Sequence, residues 1–365
     1  MSAPFPPGFL SVGGKDAPKP LEGSCASDDH QDPLDRLRAL ANLMPGYAVR
    51  VAVTLRIPDL IEAGVTDTTD IARLTATTES GLRALLYYLA GLGVLDKAGR
   101  DRFALTDMSR LLCTSHPDSR VDEYDVEQGR GRADVFFGLL ESIRSGQPAY
   151  PAVHGLTFWE DLAANPGLGK KWAAMFAQHA EPIGRDLARA YDWSEWGDVA
   201  DVGGGTGVML AELLEANPHL NGVLVDLEGV AALARDLLAS RGLAARARVW
   251  AGSFFEPLPT AHVYVLSWIL HDWGDDEATR ILANCAAAAG PAGRILIVEQ
   301  PFEADSVTRG VASMHLRMLV LFGGQERSRD DFDRLGHQVG LVRVGEYPLS
   351  SGFVAFEYRV QSRPR

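Results

Sequence analysis

The sequence predicts an α/β fold in which a parallel sheet carries helices on both faces, preceded by a mainly helical region. Three observations predict it. From residue 196 onward, short apolar runs such as "DVADV", "GVLVDL", "HVYVLSW" and "RILIVE" alternate with stretches of helical spacing. A glycine-rich turn, "GGGTG", joins the first of these runs to an amphipathic helix. Before residue 110, the pattern is instead a series of helices followed by a short apolar hairpin.

The bulk composition excludes several classes of function. The chain has 365 residues, of which 46% are hydrophobic, enough for two domains with cores of their own. Its formal net charge is −13, which makes it a poor non-specific partner for nucleic acid or for an anionic membrane. No run of eighteen apolar residues predicts a transmembrane helix. Three distant cysteines, Cys25, Cys113 and Cys285, predict a reduced cytoplasmic protein without a disulfide or zinc cluster.

The N-terminal third predicts a tail and then a winged helix. Residues 1–33 are rich in Pro and Gly and contain no apolar signal-peptide core, so we expect a flexible tail. Residues 34–64 have helical spacing with a break at Pro45–Gly46, and two short helices with polar starts follow. The stretch "GVLDKAGRDRFALTD" then predicts a hairpin. We therefore expect a winged-helix domain over residues 34–118.

Winged helices often bind DNA, so a regulator is one alternative. Residues 34–110 contain ten Lys and Arg and nine Asp and Glu, a net charge of +1. A DNA-reading domain normally has a clearly basic face, which this balance does not supply. The apolar density of residues 34–64 favours packing or dimerisation instead. Residues 119–192 are predicted to be mainly helical, interrupted by the loop "SGQPAYPAVHGL", and residues 193–365 hold the α/β sheet.

The glycine loop carries the strongest chemical signal. Gly203, Gly205 and Gly207 follow an apolar strand and precede a helix, so a ligand can lie against backbone N–H groups there. A dinucleotide fingerprint would need glycine where Val208 stands, and the acidic Asp201 is a further difference. The alternative is a tight strand–helix turn that needs glycine for packing.

Two polar residues follow later strands of the predicted sheet. Asp226 ends "NGVLVD", where a carboxylate can accept hydrogen bonds from both hydroxyls of a ribose; a helix N-cap is the alternative. His271 follows the apolar run "HVYVLSWIL" at the start of "HDWGDDEATR". It is either a residue at the start of a helix or a titratable group that faces a cleft.

The ordered set "DVGGGTG", "VDL", "GSFFEPLP", "LHDW" and "GGQERS" resembles S-adenosylmethionine-dependent small-molecule O-methyltransferases of the caffeate and acetylserotonin type. This group includes bacterial enzymes that tailor aromatic natural products, and the resemblance covers about residues 34–360. It implies a class I methyltransferase Rossmann-like catalytic domain with an N-terminal winged-helix dimerisation domain. It also implies S-adenosylmethionine as cofactor, a homodimer, and a phenolic hydroxyl of a small aromatic substrate as methyl acceptor.

The resemblance assigns His271 as the general base that takes the proton from the substrate hydroxyl. A neutral imidazole with a pKa of about 6.5 suits this role at cellular pH. Glu299 and Glu326 match the family's flanking carboxylates, and a carboxylate bonded to the other ring nitrogen would fix the tautomer. Salt bridges to nearby arginines are the alternative for both glutamates. No His and Asp pair has the spacing of a metal site, so we expect no metal.

Further residues match the cofactor and substrate sites of the family. The matched cofactor residues are Asp201, Gly203, Gly205, Gly207, Asp226, Ser253, Phe254, Ser267 and Trp273. The matched substrate-pocket residues are Phe158, Trp159, Trp172, Met175, Phe176, His179, Met314 and Met318. Aromatic and methionine side chains suit a flat apolar ring, although each of them, like Trp273, is equally typical of a core.

One residue departs from the family pattern. Ser253 stands where many relatives have an aspartate that holds the adenine amino group, so a neutral hydroxyl replaces a charge.

Taken together, the motifs predict O-methylation of a phenolic hydroxyl. Two alternatives stay open: a relative of the same fold that hydroxylates, decarboxylates or rearranges its substrate, and a winged-helix dimeric regulator. Relatives of the first kind often lack the histidine of "HDW".

Overall fold

The computed structural model describes residues 32–127, 133–306 and 308–361. The N-terminal tail expected over residues 1–33 lies outside these ranges except for its last two residues. The described elements, in chain order, are α1 (Pro33–Ala41), α2 (Met44–Thr54), α3 (Ile57–Glu62), α4 (Thr68–Leu74), α5 (Glu79–Gly91), β1 (Leu95–Gly99), β2 (Arg102–Leu105), α6 (Asp107–Arg110), α7 (Val121–Tyr124), α8 (Leu139–Ser145), α9 (Tyr150–His154), α10 (Phe158–Ala164), α11 (Pro166–Ala190), β3 (Asp198–Val202), α12 (Val208–Ala216), β4 (Asn221–Asp226), α13 (Glu228–Ser240), β5 (Ala247–Ala251), β6 (Val263–Ser267), α14 (Asp275–Ala289), β7 (Arg294–Glu299), α15 (Arg309–Phe322), α16 (Arg329–Gln338), β8 (Leu341–Pro348) and β9 (Val354–Val360). The chain divides into two compact units, Met1–Tyr47 and Ala48–Arg365.

The break in the N-terminal helices lies before Pro45, so the prediction that placed it at Pro45–Gly46 is wrong. Helix α1 ends at Ala41, and the side-chain oxygen of Asn42 accepts a hydrogen bond from the N–H of Met44 at 3.0 Å. Pro45 lies in the first turn of α2. Proline is tolerated there because the first N–H groups of a helix have no partner within the helix.

The predicted wing is confirmed. Strands β1 and β2 pair antiparallel, with Leu95 opposite Leu105, and the turn between them includes Asp101 with a positive φ of 56°. Phe103 of β2 is fully buried and meets the ring of Tyr87 of α5 edge-on at 5.4 Å. The hairpin therefore packs on the α2–α5 helices through one apolar face.

The helical region between residues 121 and 190 has an aromatic core. Phe158 of α10 and Trp172 of α11 meet edge-to-face at 4.9 Å, and both are buried. The segment "SGQPAYPAVHGL" was predicted to be a loop, but it contains α9. Tyr150 anchors this short helix because its ring is fully buried and its hydroxyl donates to the carboxylate of Asp161.

The central sheet has seven strands in the order β5-β4-β3-β6-β7-β9-β8. The expected parallel arrangement holds from β5 to β7, but β9 runs antiparallel to both of its neighbours. Strands β8 and β9 are joined by residues 349–353 alone, and so short a connection cannot return the chain for parallel pairing. The sheet is therefore mixed.

Helices cover both faces of the sheet, as predicted. On one face, Leu187, Leu213 and Leu238 of α11, α12 and α13 pack in one buried cluster with Val199 and Leu224. On the other face, helices α14 and α16 bury their apolar sides against alternate residues of the same strands. Successive residues of a strand point to opposite faces of the sheet, which explains why residues of one strand belong to two different buried clusters.

Two further expectations concern the whole chain. Cys113 and Cys285 are buried free thiols, while Cys25 lies outside the described residues. Within the described parts of the chain, no helix is both long enough and apolar enough to cross a bilayer.

Candidate active site

The candidate site residues lie where parallel strands end. Val202, Asp226 and Ser267 close β3, β4 and β6, and Glu299 closes β7. Because these four strands are parallel and paired in register, their carboxyl ends meet at one edge of the sheet. Strands β4 and β6 lie on opposite sides of β3, and such a reversal of strand order leaves a crevice for a ligand.

The three glycines of the loop after β3 have different tasks. All three have positive φ, with values of 73° at Gly203, 58° at Gly205 and 81° at Gly207. A β-carbon at Gly203 would overlap with the side chain of Ile269, and one at Gly207 would lie 3.1 Å from Leu224. A β-carbon at Gly205 would meet no atom within 4 Å. Gly203 and Gly207 are therefore required by packing, whereas Gly205 borders open space.

Two carboxylates lie against this loop. The Oδ2 atom of Asp226 accepts the N–H of Gly205 at 2.8 Å, and its Oδ1 atom accepts the N–H of Leu227 at 2.7 Å. Helix α13 is capped by Leu227, so the helix-cap alternative for Asp226 is wrong. Burial raises the pKa of Asp226, and the two N–H groups oppose that shift.

Asp201 is almost fully buried beside Gly204, and its Oδ2 atom has no hydrogen-bond partner among the described residues. Burial and the nearby charge of Asp226 raise the pKa of Asp201 to about 7. A buried acceptor without a donor is unfavourable unless a ligand supplies one. Asp201 is therefore placed to accept a hydrogen bond at the glycine loop.

Half-buried aromatic rings follow β5. Phe254 and Phe255 meet Trp273 edge-on at centroid distances of 5.7 and 4.9 Å. The hydroxyl oxygen of Ser253 accepts the N–H of Phe255 at 3.2 Å, which leaves its O–H free to donate. The structure thus brings Trp273 to Phe254, next to Ser253, and the predicted role of these residues in cofactor binding stays a prediction.

His271 lies in a 3-10 turn, Leu270–Asp272, between β6 and α14. Helix α14 begins four residues later with Gly274 as its cap, so the helix-start alternative for His271 is wrong. The Nδ1 atom of His271 lies 2.8 Å from Oε1 of Glu326, and both side chains are buried. Glu326 is therefore the carboxylate that orients the ring, and its alternative role in a salt bridge with arginine is wrong.

Glu299 holds the same turn from its N-terminal side. Its Oε1 atom accepts the N–H groups of Ile269 at 3.1 Å and Leu270 at 3.0 Å. Its Oε2 atom is buried without a hydrogen-bond partner in the described chain, which excludes the predicted alternative of a salt bridge. Glu299 thus bonds the backbone next to His271 and does not bond the imidazole.

The electrostatics around His271 correct one expectation. Burial disfavours the imidazolium, but Glu299, Asp272 and Glu326 outweigh it and raise the pKa of His271 to about 9. For the two acids, burial acts in the opposite direction: it raises the pKa of both Asp272 and Glu299 to about 7, although the charge of His271 opposes this. The expected unperturbed imidazole is therefore wrong, because three carboxyl groups converge on one buried ring.

Two residues beside His271, Asp272 and Arg327, received no role in the sequence analysis, whereas Trp268 was expected at the end of the strand below the base. Asp272 lies with Oδ1 3.4 Å from Nε2 of His271, and its position directly after the histidine was an available signal. Trp268, at the end of β6 with a φ of 57°, stacks on His271 at 5.5 Å and lies 5.1 Å from the ring of His179. Arg327 is almost fully buried and donates to carbonyls of the turn; it belongs to the motif "GGQERS", in which only Glu326 was given a role.

The predicted pocket residues separate into two groups. Phe158 and Trp172 lie in the aromatic core, and Met318 is also buried, so these three contribute to packing, and their assignment to the pocket wall stays a prediction. The other five, which are half-buried or exposed, are Trp159, Met175, Phe176, His179 and Met314. Trp159 stacks on Phe322 at 5.5 Å and on Trp273 at 6.4 Å, which links the helical region to the aromatic rings after β5.

The ligand atoms of His271, Glu299 and Glu326 lie within 4.8 Å of one another, a spacing that a metal ion can bridge. In the structure, hydrogen bonds already engage His271 Nδ1 and one oxygen of each glutamate. The predicted absence of a metal stays a prediction.

A glycine loop and a buried histidine–glutamate pair at the carboxyl edge of a Rossmann-like sheet define a class of enzymes that bind a nucleoside cofactor. Residues 136–342 match the model of an O-methyltransferase domain, and residues 39–115 match that of an O-methyltransferase dimerisation domain. The chain belongs to the O-methyltransferase family.

Curated relatives from Streptomyces include enzymes of two kinds. The 2,7-dihydroxy-5-methyl-1-naphthoate 7-O-methyltransferase of Streptomyces carzinostaticus is 41% identical over 86% of this chain and 94% of its own length. Aclacinomycin 10-hydroxylase of Streptomyces purpurascens is 38% identical over 89% of this chain and 88% of its own length. The family thus includes a methyltransferase and a hydroxylase at similar distance from this chain.

A solved relative has the same fold. The O-methyltransferase NcsB1 from neocarzinostatin biosynthesis, in complex with S-adenosylmethionine and 2-hydroxy-5-methyl naphthoic acid, is 40% identical to this chain. Its TM-score is 0.80 over 89% of this chain and 98% of that chain. These matches confirm the predicted family, its fold class and its dimerisation domain.

Proposed function

We propose that this protein transfers a methyl group from S-adenosylmethionine to a hydroxyl group of an aromatic natural product, with His271 as the general base. The buried hydrogen bond between His271 and Glu326 at the ligand edge of the sheet carries the proposal. A carboxylate that accepts the Nδ1 proton leaves the Nε2 lone pair to accept a proton from the substrate.

The residues around the glycine loop fit the cofactor. Gly205 borders open space, the carboxylate of Asp226 lies beside it, and Asp201 offers a buried acceptor without a donor. Gly203 and Gly207 shape the loop, and Ser253, Phe254, Ser267 and Trp273 complete the proposed binding set. When bound, S-adenosylmethionine supplies a methyl group that its positive sulfur already activates.

The chain's own task is then to position the acceptor and remove its proton. Glu299, Asp272 and Glu326 favour the imidazolium form, so the ring that has taken up a proton is stabilised. The same charges keep much of His271 protonated at neutral pH in the free protein. We therefore propose that the reaction speeds up as the pH rises towards the pKa of His271.

The substrate is proposed to be a fused aromatic hydroxy acid. The relative from Streptomyces carzinostaticus is named for a dihydroxynaphthoate, and the solved relative holds a naphthoic acid. The stacked rings of Trp159 and Phe322, which are only half-buried, offer flat faces to such a ring system. The remaining proposed pocket residues are Met175, Phe176, His179 and Met314, together with the buried Phe158, Trp172 and Met318.

Hydroxylation is the rival because one close relative is named as a hydroxylase. The histidine–glutamate pair favours methylation, since it supplies a base for a hydroxyl that must lose its proton. The experiment is to incubate the protein with S-adenosylmethionine and 2,7-dihydroxy-5-methyl-1-naphthoate or 1,4-dihydroxy-2-naphthoic acid, and to analyse products by mass spectrometry. We expect a gain of one methyl group, and none when S-adenosylhomocysteine replaces the cofactor. Gain of an oxygen atom would establish the rival.

We propose a homodimer that acts in the cytoplasm. The chain carries the family's dimerisation domain, and α1 exposes Leu34, Leu37 and Leu40 at three-residue spacing with no buried residue of its own. The two described thiols are unpaired, as in a reducing compartment. Sedimentation at micromolar concentration should give twice the mass of the chain; a single-chain mass would contradict the dimer.

We also propose the domain boundaries 34–118, 119–192 and 193–365.

A further inference from the structure

Arg327 holds the turn of His271 by its carbonyl groups. The side chain is 2% exposed, Nη1 donates to the carbonyl of Leu270 at 2.6 Å, and Nη2 donates to that of Trp273 at 2.7 Å. These carbonyls lie one residue before and two residues after His271. Buried carbonyls of an irregular turn need such donors, so Arg327 fixes the backbone on both sides of His271.

Asp275, at the start of α14, fixes the guanidinium in turn. Its Oδ1 atom accepts Nε of Arg327 at 3.1 Å and Nη2 at 2.9 Å. Its Oδ2 atom accepts Nη2 of Arg334 at 2.9 Å. A planar guanidinium that is bonded along one edge keeps its other donors in fixed directions, which a lysine ammonium cannot do.

The residues before Arg327 contact the same turn. A β-carbon at Gly324 would overlap with the carbonyl oxygen of His271, and the N–H of Gln325 donates to that oxygen at 2.9 Å. Glu326 follows and bonds the imidazole itself. Four consecutive residues, 324–327, thus contact the backbone or the ring of His271 and its turn, in addition to Glu299.

We infer that Arg327 is a positioning residue for the general base, acting on His271 through the backbone of its turn. The inference rests on the proposed role of His271. A base must lie within hydrogen-bond reach of the proton it accepts, and a displacement of about 1 Å can cost about 10²-fold in rate. Arg327 is itself in neither proposed binding set, but it also holds the carbonyl of Trp273, so we expect its substitution to affect proton removal most and cofactor binding less.

The variant Arg327→Lys keeps the charge but places all donors on one nitrogen, which cannot reproduce the directions of Nε, Nη1 and Nη2 towards Asp275 and the two carbonyls. We expect kcat for the methylated hydroxynaphthoate to fall about tenfold to hundredfold. The affinity for S-adenosylhomocysteine, measured by calorimetry, should change less than threefold. Arg329→Lys is the matched control, because Arg329 lies two residues further on and pairs with Glu303 and Glu346 instead. It should keep wild-type kcat.

A double-mutant cycle separates positioning from general stabilisation of the fold. If Arg327 acts through His271, Arg327→Lys should have no further effect on kcat in the His271→Ala background. A merely structural arginine would lower the melting temperature but leave the kcat of folded protein unchanged, or would lower it equally in both backgrounds.

A second pair of variants covers the case that Arg327→Lys fails to fold. Asp275→Ala removes the carboxylate that orients Arg327, at a half-buried position, and should lower kcat in the same direction. Arg334→Gln removes the donor to Oδ2 of Asp275 and leaves the bonds of Arg327 to Oδ1 intact, so it should keep wild-type kcat.

The outcomes distinguish the inference from the proposed function. Wild-type turnover in His271→Ala would contradict the proposed function, and the inference with it. A large loss in His271→Ala, combined with unchanged kcat in Asp275→Ala and in folded Arg327→Lys, would overturn the inference alone. Equal losses from Arg327→Lys in both backgrounds would do the same. A loss that disappears in the His271→Ala background is the result we expect.

Discussion

The Nδ1 atom of His271 lies 2.8 Å from Oε1 of Glu326, and the pair is buried at the carboxyl edge of the sheet. The bond favours the tautomer in which Nδ1 carries the proton, so Nε2 is the atom that we propose accepts one from a substrate. It also stabilises the charged ring and so raises the pKa of His271, which means that the proposed base becomes neutral only at higher pH.

The first prediction concerns that pH dependence. Only the neutral imidazole accepts a proton, and the pKa of His271 is raised to about 9, so kcat/KM should increase with pH until it levels off in the alkaline range. Glu326→Gln removes one negative charge from the ring, which lowers the pKa and should move the inflection to lower pH. The control Glu303→Gln, at a glutamate that pairs with Arg329, should leave the inflection in place. An inflection that is the same in all three proteins would show that His271 does not control the rate.

The second prediction tests the open side of the glycine loop. Gly205→Val fills the space that borders Gly205, so binding of S-adenosylhomocysteine should be lost. Gly242→Val is the matched control: Gly242 also has a positive φ, 72°, and also has open space at its β-carbon, but it lies at the end of α13. Both variants carry similar backbone strain, of about 1–2 kcal/mol. Calorimetry that finds equal affinity in both would refute the assignment of the loop.

The third prediction uses the departure at position 253. Ser253→Asp keeps an acceptor for the N–H of Phe255 and adds a charged acceptor for the adenine amino group. Affinity for S-adenosylhomocysteine should rise, by up to about 1.5–3 kcal/mol for a charge-assisted hydrogen bond. Ser253→Ala serves as the comparison and should bind no more tightly than wild type. If Ser253→Asp binds tenfold more weakly, the loop after β5 does not face the adenine.

The sequence was sufficient to predict which residues lie at the ligand edge of the sheet when they directly follow an apolar strand. Asp226, His271 and Glu299 each follow an apolar run, and the ends of parallel strands necessarily share an edge. Motif spacing then distinguished a methyltransferase loop from a dinucleotide loop, because Val208 replaces a glycine.

Other features depend on contacts that no local pattern records. Arg327 donates to Leu270, 57 residues earlier, and an arginine in a polar segment is equally typical of an exposed surface. Phe158 and Trp159 are adjacent aromatic residues, yet the first is buried in the core and the second only half-buried. The raised pKa of His271 depends on the adjacent Asp272 and on Glu299 and Glu326 from two other segments, and these two approach the ring only in the folded chain.

The most direct test of His271 as general base is the ratio of kcat between His271→Ala and wild type along a series of hydroxynaphthoates with falling hydroxyl pKa. The loss should be about 10²–10⁴-fold for the least acidic hydroxyl and should shrink towards none for one that is already ionised. His262→Ala is the control, since His262 precedes the same strand β6 at its other end and is exposed. Thermal melting should show that both variants are folded. A ratio that increases along the series supports the account, and an equal loss for every substrate would contradict it.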